Sequence, residues 1–215
     1  MKTQNLKINE IFYSLQGESS RIGIPTIFIR LTGCPMRCNY CDTTYAFNEG
    51  QTLTFDEIFS EIKKYKTNFI TVTGGEPLAQ KPCKVFLSQL VEFGYEVSLE
   101  TGGAISIKDI DKKVKIILDL KTPGSGEVDN NYWENLSFIK KEDEIKIVIT
   151  DKHDYEWAKD LIQKKGLYTK YDILFSPSYG EVDPDHLAQW ILKDNLNVRM
   201  QIQLHKIIWG EKKGV

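Results

Sequence analysis

The segment 33–43 reads G-C-P-M-R-C-N-Y-C-D-T, and it constrains this chain more than any other stretch. Cys34, Cys38 and Cys41 follow one another at intervals of three and two residues, directly after a predicted strand, Thr26–Leu31. Whatever the fold, it has to present a short loop at a strand end with three thiols turned the same way. Such a loop can wrap three thiolates around one cube of iron and sulfide. Four protein thiolates would make an electron carrier; three leave one iron open to chelate a small molecule, as catalytic metals keep a free position. The alternatives are a zinc site completed by Cys83 or His205, unrelated thiols, or a non-catalytic electron-transfer or metal-binding module. Cys83, in K-P-C-K, reads as a bystander.

Around that loop the chain alternates. Strands are expected at 69–73, 96–100, 114–120, 144–149, 172–175 and 198–203, with helices at 54–66, 82–93, 154–165 and 185–193. Thr54 with Glu57 three residues on forms a capping box, and Phe55, Ile58, Phe59 and Ile62 share one helical face. Gly94 and Gly166 stand where helices close. Strands separated by helices imply parallel pairing. The expectation is an α/β chain, one domain over 1–215, built as a partial (β/α) barrel of about six to seven mostly parallel strands. The cluster loop is 33–43 and a tail follows at 207–215.

Composition bears on what such a barrel would bind. The net charge of −2 lacks the clustered positive charge of a nucleic-acid footprint. Lys63, Lys64 and Lys66, Lys112, Lys113 and Lys115, and Lys140 and Lys141 are interleaved with acids and read as solvated faces. No apolar run reaches membrane-span length, and Met1–Glu10 lacks a signal-peptide core. A cytoplasmic protein without nucleic-acid or membrane partners is expected, and disulfides are rare in that compartment. His153 and His186 sit beside acids at helix starts and receive no role.

Beyond the cysteine spacing, Tyr40 precedes the last cysteine, and Gly74-Gly75-Glu76-Pro77 follows the next strand. The pair resembles the radical S-adenosylmethionine superfamily. Leu15-Gln16-Gly17-Glu18, Phe28-Ile29-Arg30-Leu31, Cys41-Asp42-Thr43, Val72 to Pro77, Glu100-Thr101-Gly102 and Gln203-Leu204-His205-Lys206 occur in that order. From about Asn9 to Lys206 this pattern is similar to the 7-carboxy-7-deazaguanine synthase family. A glycyl-radical activating enzyme shares the cysteine spacing but fits Leu15–Glu18 less well.

The resemblance implies a radical core that converts 6-carboxy-5,6,7,8-tetrahydropterin to 7-carboxy-7-deazaguanine with loss of ammonia, a step of queuosine and related 7-deazapurine pathways. It implies a 4Fe-4S cluster, S-adenosylmethionine, Mg2+, a flavodoxin- or ferredoxin-type reductant and a homodimer. The cluster ligands would be Cys34, Cys38 and Cys41, and the magnesium ligand Thr43. Tyr40, Asp42, Gly75, Glu100, Asp119, Lys121 and Ser176 would meet S-adenosylmethionine. Leu15, Gln16, Gly17, Glu18, Arg30, Thr73 and His205 would surround the pterin. The radical would be 5′-deoxyadenosyl, taking the C6 hydrogen of the substrate. No protein side chain is expected to act as a catalytic group beyond that radical. Two departures stand out: Asp119-Leu120 replaces the serine and proline common before the lysine, and the chain runs past Lys206.

The residues read directly agree with the placement. Cys34, Gly75, Glu100, Lys121, Ser176 and Gln203 fall at or just beyond the carboxyl ends of successive predicted strands, the rim where β/α barrels build sites. Arg30 can hold a carboxylate with its planar fork. Thr43, with waters, suits a hard hydrated cation. Gln16 and Glu18 offer donors and acceptors to a pterin edge. Each also has a plainer reading: an outward salt bridge for Arg30, a turn cap for Thr43, an exposed turn for Glu18, a buried hydrogen bond for His205 and a solvated loop for Lys121.

Overall fold

Strand side chains alternate between two faces, and here one face is aliphatic and the other polar. The computed structural model describes residues 4–215. Its strands are β1 (Asn5–Leu15), β2 (Pro25–Leu31), β3 (Gln51–Thr54), β4 (Phe69–Gly74), β5 (Glu96–Thr101), β6 (Lys115–Leu120), β7 (Glu144–Ile149), β8 (Asp172–Pro177) and β9 (Arg199–Met200). They form one sheet in the order β3-β1-β2-β4-β5-β6-β7-β8-β9. β2 and β4 to β9 run parallel, while β1 pairs antiparallel with β2 and with β3. The sheet does not close on itself. It is the expected partial barrel, with an antiparallel pair added at one edge.

The helices α1 (Phe55–Ile62), α2 (Cys83–Glu92), α3 (Lys152–Lys164) and α4 (Pro184–Lys193) cover the aliphatic face. Ile29, Val72, Leu99, Leu118, Ile147 and Phe175 are buried there against Ile58, Phe86, Tyr155 and Leu187. Cys83 lies within this core, fully buried at the start of α2, so it is packing and not a fourth ligand. The capping box is present: Glu57 N donates to Thr54 Oγ1 at 3.2 Å and Thr54 N donates to Glu57 Oε2 at 2.7 Å.

Several elements differ from the sequence expectation. β1 was not anticipated, because a bulge between Ile8 and Glu10 breaks its alternation. β3 is a four-residue edge strand. The strand expected at 198–203 is only Arg199–Met200, and a short helix, α5 (Leu204–Trp209), follows it. Helix α1 ends at Ile62, several residues early. Lys115 is not on a solvated face; its Nζ lies 2.8 Å from Glu144 Oε1. No helix is long and apolar enough to cross a membrane among the described residues.

The loop between β1 and β2 decides where ligands can go. Because β1 is antiparallel, this loop starts at the amino ends of the parallel strands. There it crosses the first residues of four of them. The Arg21 guanidinium lies 5.1 Å from the Phe69 ring and donates to Glu96 O at 2.9 Å. Lys115 Nζ donates to Ser20 Oγ at 2.8 Å, and Ser20 N donates to both Glu144 carboxylate oxygens at 3.0 and 3.2 Å. The loop closes that end of the half-barrel and forms a floor.

Candidate functional site

The polar face of the sheet is concave and holds a cavity of about 450 Å³, a size suited to small ligands. Its opening is at the carboxyl ends of the parallel strands. All residues singled out in the sequence line it: the three cysteines, Thr43, Tyr40, Asp42, Gly75, Glu100, Asp119, Lys121, Ser176, Leu15, Gln16, Gly17, Glu18, Arg30, Thr73 and His205.

The cysteine loop forms one wall. It is tied down on several sides: Gly33 N donates to Ala46 O at 2.8 Å, Arg37 N to Glu127 Oε1 at 2.6 Å and Asn39 N to Ser125 O at 3.0 Å. The Arg37 guanidinium donates to Cys34 O at 2.8 Å. Burial raises all three thiols above their ordinary range, Cys38 to about 11. A metal centre is what would hold them as thiolates. Among the described residues no three His, Cys, Asp or Glu converge as ligands of one ion. A cube needs no such point, since it binds each thiolate at a different iron.

The G-G-E-P turn locks onto this loop. A Cβ on Gly75 would lie 2.3 Å from Gly33 O and 2.8 Å from Cys34 Cβ, so only glycine lets the two backbones meet. Glu76 N donates to Gly33 O at 2.8 Å. The buried Glu76 carboxylate accepts from Thr101 Oγ1 at 2.9 Å and Gly102 N at 2.8 Å, which binds the β4 end to the β5 end. The motif named Glu76 but gave its side chain no role; it is a brace, while the glycines line the cavity.

Behind the cysteines lie Tyr40, Asp119 and Lys121. Lys121 is buried, not solvated, with its Nζ 3.2 Å from Asp119 Oδ1 and 5.7 Å from the Tyr40 ring centre. Burial works against its charge, but Asp119, Tyr40 and Cys38 together outweigh it and raise its pKa. Tyr40 Oη is buried without a hydrogen-bond partner, and Asp119 Oδ1 meets Lys121 without hydrogen-bond geometry. Buried polar atoms left without a partner call for an explanation, and Tyr40 and Asp119 both belong to the cavity lining. The donor set, the glycine cradle and these two atoms fit a cluster with S-adenosylmethionine beside it.

A second polar set links the β1–β2 loop to β4 and β5. Gln16 Nε2 donates to Thr71 Oγ1 at 3.1 Å and Glu100 Oε1 at 3.3 Å, and Thr73 Oγ1 donates to Glu100 Oε2 at 3.0 Å. Burial, then the nearby Glu18 charge, raises the Glu100 pKa. Glu18 is not in an exposed turn: it accepts from Gln203 Nε2 at 2.8 Å and pairs with Lys146 at 2.5 Å. Arg30 does not face outward. Its Nε donates to Glu10 Oε1 at 2.7 Å, and its guanidinium lies 5.6 Å from the Phe12 ring centre, leaving the two terminal nitrogens to the cavity. His205, on α5, rests on Gly17, whose Cβ would come 2.0 Å from Nδ1. Burial lowers the His205 pKa, so the imidazole is biased to its neutral form. Thr43 Oγ1 donates to Asp42 Oδ1 at 2.7 Å at the rim.

Several cavity residues escaped sequence reading, among them Glu211, Val215 and Lys146. Glu211 and Val215 show that the tail folds back to the site. Lys146 also lines it, and its signal was present: a lysine in the middle of E-I-K-I-V-I, in phase with polar residues of the other strands.

A model of the radical SAM superfamily matches residues 28–191. The 7-carboxy-7-deazaguanine synthase of Chlorobaculum tepidum is 44% identical over 98% of this chain and 97% of its own. That of Koribacter versatilis is 43% identical over 98% of this chain and 100% of its own. The crystal structure of QueE from Escherichia coli superposes with a TM-score of 0.77 at 22% identity, covering 93% of this chain and 94% of that one. Streptococcus suis SuiB bound to S-adenosylmethionine shares the fold at a TM-score of 0.54 and 15% identity, over 80% of this chain and 48% of that one.

Proposed function

The chain belongs to the 7-carboxy-7-deazaguanine synthase family of the radical SAM superfamily, and from that premise we propose how this cavity divides the work. The activity is that of a radical S-adenosylmethionine lyase, converting 6-carboxy-5,6,7,8-tetrahydropterin to 7-carboxy-7-deazaguanine and ammonia. This membership sets aside the glycyl-radical activating and non-catalytic alternatives. The observation that carries the reading is that three thiols and Arg30, near the carboxyl end of β2, share one cavity.

When bound, the cluster and S-adenosylmethionine supply a radical that removes a hydrogen from C6 of the substrate. The protein's own part is placement. Cys34, Cys38 and Cys41 would hold the cluster by three thiolates. Gly75, with Tyr40 and Asp42, offers main-chain groups to S-adenosylmethionine, while Glu100, Asp119, Lys121 and Ser176 meet its polar edges. The free nitrogens of Arg30 receive the substrate carboxylate as a fork. Gln16 and Glu18 read the pterin edge, with Leu15, Gly17, Thr73 and His205 enclosing it. Thr43, oriented by Asp42, would offer its hydroxyl to Mg2+, which would supply a hard, hydrated cation beside the substrate. A flavodoxin- or ferredoxin-type reductant, a homodimer and a cytoplasmic setting complete the proposal.

Anaerobic protein given reductant, Mg2+, S-adenosylmethionine and the carboxytetrahydropterin should form the deazaguanine, detected by mass spectrometry. An intact cluster with no product would sink the substrate assignment. Iron and sulfide analysis is independent of turnover: one zinc and no sulfide would rule out the radical core.

A further inference from the structure

Lys146 sits mid-strand on β7, facing the cavity, its side chain 14% exposed. Its ammonium lies 2.5 Å from Glu18 Oε2 and 3.7 Å from Asp119 Oδ2. Asp119 in turn meets Lys121 at 3.2 Å. An alternating row, Glu18–Lys146–Asp119–Lys121, therefore runs from the floor loop to the cysteine wall. The next inward residue of β7 is Glu144, which grips Ser20 of the same loop. One strand thus holds the floor loop at two points with opposite charges.

Stability does not account for this lysine. Burying a charge is costly, and well-packed apolar residues in its place are often neutral or stabilising. The cavity face accepts apolar residues at nearby positions, Ile117 and Val148. We propose that Lys146 is a positioning residue for the substrate: it fixes Glu18 as an oriented acceptor for the pterin and joins that acceptor, through Asp119, to the cofactor side. Burial opposes its charge, but Glu18, Asp119 and Glu100 keep it protonated. The proposal rests on the pterin assignment above.

The test compares Lys146→Met, Lys146→Arg, Glu18→Gln and the double variant E18Q/K146M, each with reconstituted cluster. Lys146→Met should weaken binding of the carboxytetrahydropterin about tenfold or more, while iron content and S-adenosylmethionine binding stay near the parent's. Lys146→Arg should recover most of the loss. The double variant should bind like Glu18→Gln alone, because the lysine acts through Glu18. Parental pterin affinity in Lys146→Met, or an equal further loss on the Glu18→Gln background, would overturn the proposal. A substrate-free arm separates it from the pterin assignment: hydrogen exchange at residues 16–20 should quicken in Lys146→Met. If the parent itself binds no pterin, the substrate assignment fails and the exchange result alone decides; unchanged protection would overturn the positioning role.

Discussion

A methyl group on Gly17 would lie 2.0 Å from His205 Nδ1, so His205 rests on bare backbone there. Gly17→Ala should push His205 aside, lose about 1–3 kcal/mol in denaturant unfolding and weaken pterin binding, with iron content intact. Glu100 makes the opposite trade. Its pKa is raised by burial, so the unfolded chain releases that proton at lower pH than the folded one. Folding then takes up a proton between the two values, and stability falls as pH rises through that window. Glu100→Gln should therefore be more stable than the parent at neutral pH, the gap closing as pH falls into the ordinary carboxylate range, while S-adenosylmethionine binding weakens. Unfolding curves at several pH values check it. Placement was legible where spacing carries it, as at Cys34, Cys38 and Cys41, which share one wall of the cavity. Lys146 and Glu76 were not, because their meaning comes from partners on other strands.

At the scale of elements, local signals were read where they are self-contained. The Thr54 cap needed only its own four residues, and Thr54→Ala should cost about 1 kcal/mol in unfolding, with no change in ligand binding. β1 needed Leu31 and Arg30 opposite it, and its bulge hid the alternation within the strand. α5 has no buried side chain to mark a face. The turn after β6 shows how an element can depend on one distant group. Asp154, fully buried on α3, accepts from Thr122 Oγ1 and Gly124 N at 2.8 Å each and from Thr150 Oγ1 at 2.6 Å. That turn also receives Asn39 of the cysteine loop. Asp154→Ala should cost about 3 kcal/mol and broaden the cluster's electron paramagnetic resonance spectrum.

For the whole molecule, the fold class was legible because βαβ alternation is a property of the whole chain, and the aliphatic strand face and the helix faces share one core. The closed floor was not, since it depends on β1 running against the other strands. Cluster, S-adenosylmethionine and substrate all bind the folded half-barrel, so each adds stability by mass action. At a hundredfold excess over Kd, S-adenosylmethionine should contribute about 2.7 kcal/mol, read as a rise in melting temperature that a Gly75→Ala protein does not show. The floor has one more consequence. With the amino end shut by Ser20, Arg21 and their partners, the cavity is a dead-end street. Whatever docks deepest on Gln16 and Glu18 has to enter before the mouth is filled, and the last molecule in is the first that can leave.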